Sequence, residues 1–151
     1  MALPRKKKKS RQLNVRTSGK GIRQVLGDLE ADIMELAWEK SPVSVRDMHE
    51  RLARNRPLAY TTVMTVMSRL SEKGLLKRQQ QGRAYLYVPS CTRDEFCEDA
   101  VSTVMRGLLG GFGEPVLTNF VDTVGAQDAA KLDELMRIIE EKKKEVGGSA
   151  T

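Results

Sequence analysis

Histidine, cysteine and long apolar runs are all scarce in this 151-residue chain, and each shortage removes a class of function. A single histidine, His49, leaves little for acid–base work, and neither a nucleophile elbow nor a glycine-rich phosphate loop accompanies it. Cys91 and Cys97 have five residues between them, which is neither a disulfide framework nor the close pairing of a zinc site, so they read as reduced thiols. No stretch approaches the roughly 18 apolar residues of a membrane span. No apolar signal core follows the basic N-terminal region either. The expectation is a cytoplasmic, nucleoid-associated protein that is not an enzyme, has no catalytic residue, holds no metal or cofactor, and makes no stable membrane association.

What the chain has in quantity is charge, unevenly placed. The formal net charge is +6, but residues 1–27 carry nine Lys or Arg and no acid, among them Lys6, Lys7, Lys8 and Lys9. Residues 28–90 carry ten bases against eight acids, and residues 91–151 seven bases against twelve acids. A basic head, a mixed middle and an acidic tail place nucleic-acid contact at one end and protein contact at the other.

Hydrophobic periodicity divides the same chain. Residues 1–25 lack it and read as a basic flexible arm. In LGDLEADIMELAWEK, Leu29, Ile33, Leu36 and Ala37 recur at helical spacing, with acids crowding the first turn. Ser44 is an N-cap for a second helix, Val45 to about Arg54, and AYTTVMTVMSRLSEKG gives a third, closed by Gly74. LLKRQQQGRAYLYVP then reads as a β-hairpin about Gly82, with Ala84, Leu86 and Val88 alternating against Arg83, Tyr85 and Tyr87. Three helices and a hairpin make a winged helix-turn-helix at 26–90, within which Trp38 is expected to anchor the first helix against the hairpin. Beyond it, Thr92 and Glu95 form a capping-box pair, Gly110, Gly111 and Gly113 end that helix, and two further helices run to about residue 146 before a disordered tail, 147–151. The fold class is thus mainly α with a small β-hairpin, and 91–146 form a helical dimerisation segment. Its helices hold too little apolar surface to stand alone, so Phe96, Val104, Leu108, Phe120, Leu132, Leu135, Met136 and Ile139 are expected to meet a second copy.

The third helix carries the candidate site. Its core stripe is Val63, Val66, Met67 and Leu70, which turns Thr61, Thr65 and Ser68 outward with Thr62 and Arg69 beside them. Hydroxyls meet base edges or phosphates, threonine methyls meet thymine, and arginine pairs with guanine or phosphate. Lys77, Arg78 and Arg83 flank the wing turn, and Arg46 opens the second helix, all suited to backbone contact. The expected partner is double-stranded operator DNA, palindromic because a two-fold dimer presents two such helices.

From Leu26 to about Glu141 the sequence resembles the BlaI/MecI-type penicillinase repressors, through LGDLEADIMELAW, SVRDMHERL, LAYTTVMTVMSRLSEKGLLKRQQQGRAYLYVP and NFVDTV. The resemblance implies a homodimeric winged-helix repressor of resistance or stress genes, relieved when a membrane sensor-protease signals and the repressor is cut. In the family's staphylococcal members the cut falls at an Asn-Phe bond, and Asn119-Phe120 matches it here. Two departures stand out: the chain lacks the Cys-rich tail of the copper-sensing branch, and the arm 1–25 lies outside the family pattern. A charge-driven architectural DNA-binding protein is the alternative that the arm supports, and a lipid-surface protein a third.

Overall fold

Ile22 has little helical company in the sequence, yet it is 6% exposed. Gly21–Gln24 form a 3-10 turn that buries it, and Leu26 follows it into the core. From outside, Arg23 pairs with Asp28 at 3.3 Å and with Asp32, and these carboxylates, Asp32 first, raise the guanidinium pKa above its ordinary value. The computed structural model describes Val15 and residues 20–148, so the Lys6–Lys9 run lies outside the described residues. Within them the arm expected at 1–25 gives way to folded chain by Gly21, because Ile22, Val25 and Leu26 find apolar partners distant in sequence.

Three helices then build the core. They are α1 (Asp28–Glu39), α2 (Val45–Ala53) and α3 (Tyr60–Glu72). Glu30 caps α1 by accepting the Gly27 N–H at 3.2 Å, and the Ser44 hydroxyl caps α2 by accepting from the Asp47 N–H at 3.1 Å. Ile33, Met34, Met48, Val63, Met67 and Leu70 are fully buried where the three meet. Gly74, at φ +77°, ends α3 and returns the chain through Leu75 and Leu76, both buried.

The hairpin is β2 (Leu76–Gln81) and β3 (Ala84–Pro89), antiparallel, with Arg78 opposite Tyr87 and Gln80 opposite Tyr85. Gly82 has φ +63° and Arg83 has negative φ, which is the backbone of a two-residue II′ turn. A short strand that periodicity cannot detect, β1 (Val43–Ser44), pairs with the other edge of β3, giving the order β1-β3-β2. Val43 lies opposite Tyr87, which explains why Tyr87, at 3% exposed, is the buried residue of this strand while Leu86 and Val88 are half-buried.

The helix α4 (Arg93–Phe112) opens on the expected reciprocal cap, Thr92 N–H to the Glu95 carboxylate at 3.0 Å and Glu95 N–H to the Thr92 hydroxyl at 3.1 Å. The described chain divides into two compact units between Val104 and Met105, inside this helix rather than at residue 90. Its first turns belong to the first unit. Phe96 is 1% exposed, with its ring 5.6 Å from that of Trp38, whose indole N–H donates to the Cys91 carbonyl at 2.9 Å. Trp38 therefore ties α1 to the segment that runs from the end of the hairpin into α4.

The second unit holds the end of α4 with α5 (Glu114–Gln127) and α6 (Ala130–Gly148). Gly110 and Gly111 do not end α4; they lower helix propensity without forbidding helical φ, and the break comes at Gly113, φ +67°. Pro115 stands in the first turn of α5, and α6 continues through Gly147 and Gly148 into the expected tail. Leu132 of α6 lies so close to Gly125 of α5 that a Cβ there would sit 3.1 Å from it. Among its described residues, 105–148, none is buried.

Candidate nucleic-acid interface

Burial of Val63, Met67 and Leu70 fixes which face of α3 is free, and Thr61, Thr62, Thr65 and Arg69 are exposed there, with Ser68 half-buried. The Thr65 hydroxyl donates to the Thr61 carbonyl at 2.8 Å, so its proton is committed to the helix and its lone pairs remain outward. Ahead of α3, the His49 ring N–H donates to the Leu58 carbonyl at 2.7 Å, and the ring meets Tyr60 edge-on with centroids 5.8 Å apart. A carbonyl only accepts, so Nε2 carries the proton. The sole histidine of the chain thereby holds the turn that sets the start of α3.

Across from α3 stands the hairpin. An open groove between them, floored by the start of α2, is lined by Ser44 and Arg46, by Tyr60, Met64, Thr65, Ser68, Arg69 and Glu72 of α3, and by Arg78, Arg83, Ala84, Tyr85 and Tyr87 of the wing. The Arg78 guanidinium carbon sits 4.4 Å above the Tyr85 ring, a cation–π contact that holds both side chains at the wing face. Arg46 makes a long 3.4 Å pair with Glu50 and stays 82% exposed. Lys77, expected at this interface, is opposite Val88 on the other face of the hairpin, because successive strand residues point to opposite sides and Arg78 takes the groove side.

The cations of the first unit are sorted by partner. All five acids of α1 reach a base in another element: Asp28 and Asp32 to Arg23, Asp32 also to Arg56 at 2.8 Å, Glu30 to Lys73 at 2.7 Å, Glu35 to Arg93 at 3.1 Å, and Glu39 to Arg51 at 3.1 Å. The Glu35 carboxylate raises the Arg93 pKa above its ordinary value. Among the described residues no ion pair holds Arg54, Arg69, Arg78 or Arg83. The carboxylates of α1 thus engage Arg23, Arg51, Arg56, Lys73 and Arg93, and the groove between α3 and the wing keeps Arg69, Arg78 and Arg83 without an ion pair. Such a surface suits a polyanion, with hydroxyls and guanidinium groups as donors.

Expected and observed groups converge in part. Thr65, Ser68, Arg69, Arg46, Arg78 and Arg83 line one groove, Thr61 and Thr62 are exposed on α3 outside that lining, and Lys77 lies on the other face of the hairpin. Tyr60, Met64 and Tyr85 line the groove unforeseen; a stripe count that seeks polar outward positions passes over exposed apolar ones. Of the residues expected to meet a second copy, Phe96 is closed off inside its own unit, where Trp38 and the core already cover it. Val104, Leu132 and Leu135 are half-buried, while Leu108, Phe120, Met136 and Ile139 are exposed. Asn119 lies mid-way along α5 and donates its amide N–H to the Pro115 carbonyl at 2.8 Å.

Residues 26–141 match a family model described as penicillinase repressor. A Mycobacterium tuberculosis protein named transcriptional regulator BlaI is 40% identical over 109 residues, 71% of this chain and 79% of that one. The penicillinase repressor of Bacillus licheniformis is 23% identical over 118 residues, 78% of this chain and 91% of its own. Among solved structures, the DNA-binding domain of the repressor BlaI in solution aligns at TM-score 0.41 with 26% identity, over 44% of this chain and 80% of that one.

Proposed function

The chain belongs to the penicillinase repressor family, a family of transcriptional repressors and not of enzymes, and we propose that it represses transcription as a homodimer on a palindromic operator. In this reading α3 enters the major groove through Thr61, Thr62, Thr65, Ser68 and Arg69. Arg46, Arg78 and Arg83 hold the flanking phosphates. The observation that carries it is the sorting of cations: Arg51, Arg56, Lys73 and Arg93 are matched with α1 carboxylates, while Arg69, Arg78 and Arg83, which line the groove between α3 and the wing, have no ion pair among the described residues. Binding one anionic partner on one face is the use that fits this asymmetry.

The homodimer is supported by the second unit. Leu108, Leu109, Phe112, Leu117, Phe120, Val121, Met136, Ile138 and Ile139 are each at least 37% exposed, more apolar surface than three helices keep in water. Two copies would set their recognition helices about 34 Å apart, one turn of DNA. We further propose that repression ends when a membrane sensor-protease cuts at Asn119-Phe120, which would separate α6 from the reading head. No helix among the described residues is long and apolar enough to cross a membrane.

Fluorescence anisotropy of the full chain on the DNA upstream of its own coding sequence, against a shuffled duplex of equal length and across salt, tests the reading. Operator binding about 10³-fold tighter than the shuffled duplex at physiological salt is the expected result. Equal affinities that fade together with salt would replace it with the architectural alternative, driven by the basic arm.

A further inference from the structure

Among the described residues from 20 to 100, the large hydrophobic side chains that stay exposed are Tyr60 at 46%, Met64 at 44% and Tyr85 at 45%. All three line the groove between α3 and the wing. Scattered exposed apolar residues need no explanation, but three gathered in one groove do. Arg46, Arg69, Arg78 and Arg83 line the same groove, with Glu72 at the far end of the helix and Thr65 and Ser68 between. A groove that holds three exposed apolar side chains together with four arginines fits a partner that is anionic along its length and apolar at one point. Duplex DNA has that character in its major groove, where the C5 methyl of thymine is the apolar group of the base edges.

We infer that Met64 is a specificity-determining residue that receives a thymine methyl, with Tyr60 and Tyr85 as the walls of its site. Met64 falls one turn after Tyr60 and immediately before Thr65, in the N-terminal half of α3, the part of a recognition helix that reaches base edges. Its unbranched thioether adapts to an apolar partner without fixing a hydrogen-bond pattern. Arg78, stacked at 4.4 Å on Tyr85, keeps that ring at the groove while its own charge faces the phosphates. Met64 thus reads the methyl, and Thr61, Thr65 and Arg69 supply the polar contacts beside it. The inference rests on the proposed operator binding.

The test pairs one methyl group against one side chain. The full chain selects its preferred sites from a randomised duplex library, and each thymine of the selected site is then replaced in both half-sites by deoxyuridine, which removes only the methyl. Wild-type protein is expected to lose about fourfold in affinity per buried methyl, or about fifteenfold for the two half-sites together. Met64→Ala, at an exposed helical position where alanine favours the fold, should bind the thymine duplex more weakly by a similar factor and lose nothing further at that one step. Met64→Leu should retain the wild-type response and Met64→Gln should not. A selected site without thymine, or a deoxyuridine response at every step that is the same in Met64→Ala, overturns the inference and leaves operator binding standing. Failure to enrich any duplex overturns operator binding and the inference with it.

Discussion

Arg83 and Arg51 make the sharpest comparison that the charge sorting permits. Arg83 stands at the wing turn and has no ion pair among the described residues, whereas Arg51 is 23% exposed, 3.1 Å from Glu39 and 3.2 Å from the Leu36 carbonyl. If Arg83 neutralises one phosphate in each protomer, Arg83→Ala removes two contacts per dimer. The slope of log affinity against log salt then becomes shallower by about 1.8. Extrapolated to about 0.15 M salt, that change is a loss of roughly thirtyfold, and it shrinks toward nothing near about 1 M. Arg51→Ala should leave the slope alone and cost about 1 kcal/mol of folding stability, because it breaks a part-buried bridge between α1 and α2. Anisotropy titrations at four or more salt concentrations, with thermal melts of each variant, give both numbers. Equal slopes for Arg83→Ala and wild type, or an equal reduction by Arg51→Ala, would refute the claim that the matched and unmatched cations do different work.

Two further outcomes follow from the division of α4. Phe96→Ala should destabilise the first unit by about 3–5 kcal/mol, since the ring is 1% exposed and packs on Trp38, and should do so without a first-order change in the dimer dissociation constant. Calorimetry and sedimentation separate the two effects. A chain stopped after Asn119 should keep the first unit folded, as its core closes within residues 22–96, while sedimenting as a monomer with operator affinity reduced by about 10²-fold or more. Tight binding by that truncation would remove the dimer from the mechanism.

How much of this was legible in the sequence depends on whether the signal was local. Helix ends were legible because a cap is a contact over three residues: Ser44 with Asp47, and Thr92 with Glu95, both formed as the spacing predicts. Gly82 marked the wing for the same reason, since the turn itself demands positive φ. The strand Val43–Ser44 was not legible, because two residues carry no period and their pairing with Leu86 and Tyr87 is made across two helices of chain. Ile22 was missed on similar grounds. Its partners are distant in sequence, and composition around it argued for solvent.

The misplacement of Phe96 shows a limit of periodicity that bears on the site as well. Phe96, Ala100, Val104 and Leu108 form one stripe on one helix, and the stripe states that this face is apolar, not what covers each turn of it. Here the cover changes along the helix: Phe96 and Ala100 are buried in the first unit, and Leu108 remains 37% exposed in the second. The same silence affects α3. Its period separates Val63, Met67 and Leu70 from the outward face and gives no role to Met64. Only the hairpin, folding back to bring Tyr85 and Arg78 beside the helix, makes Met64, Tyr60 and Tyr85 one patch. Polar members of a site can be found by their chemistry alone. Its apolar members acquire meaning when a second element is placed against them, and for that reason they were left for the structure to supply.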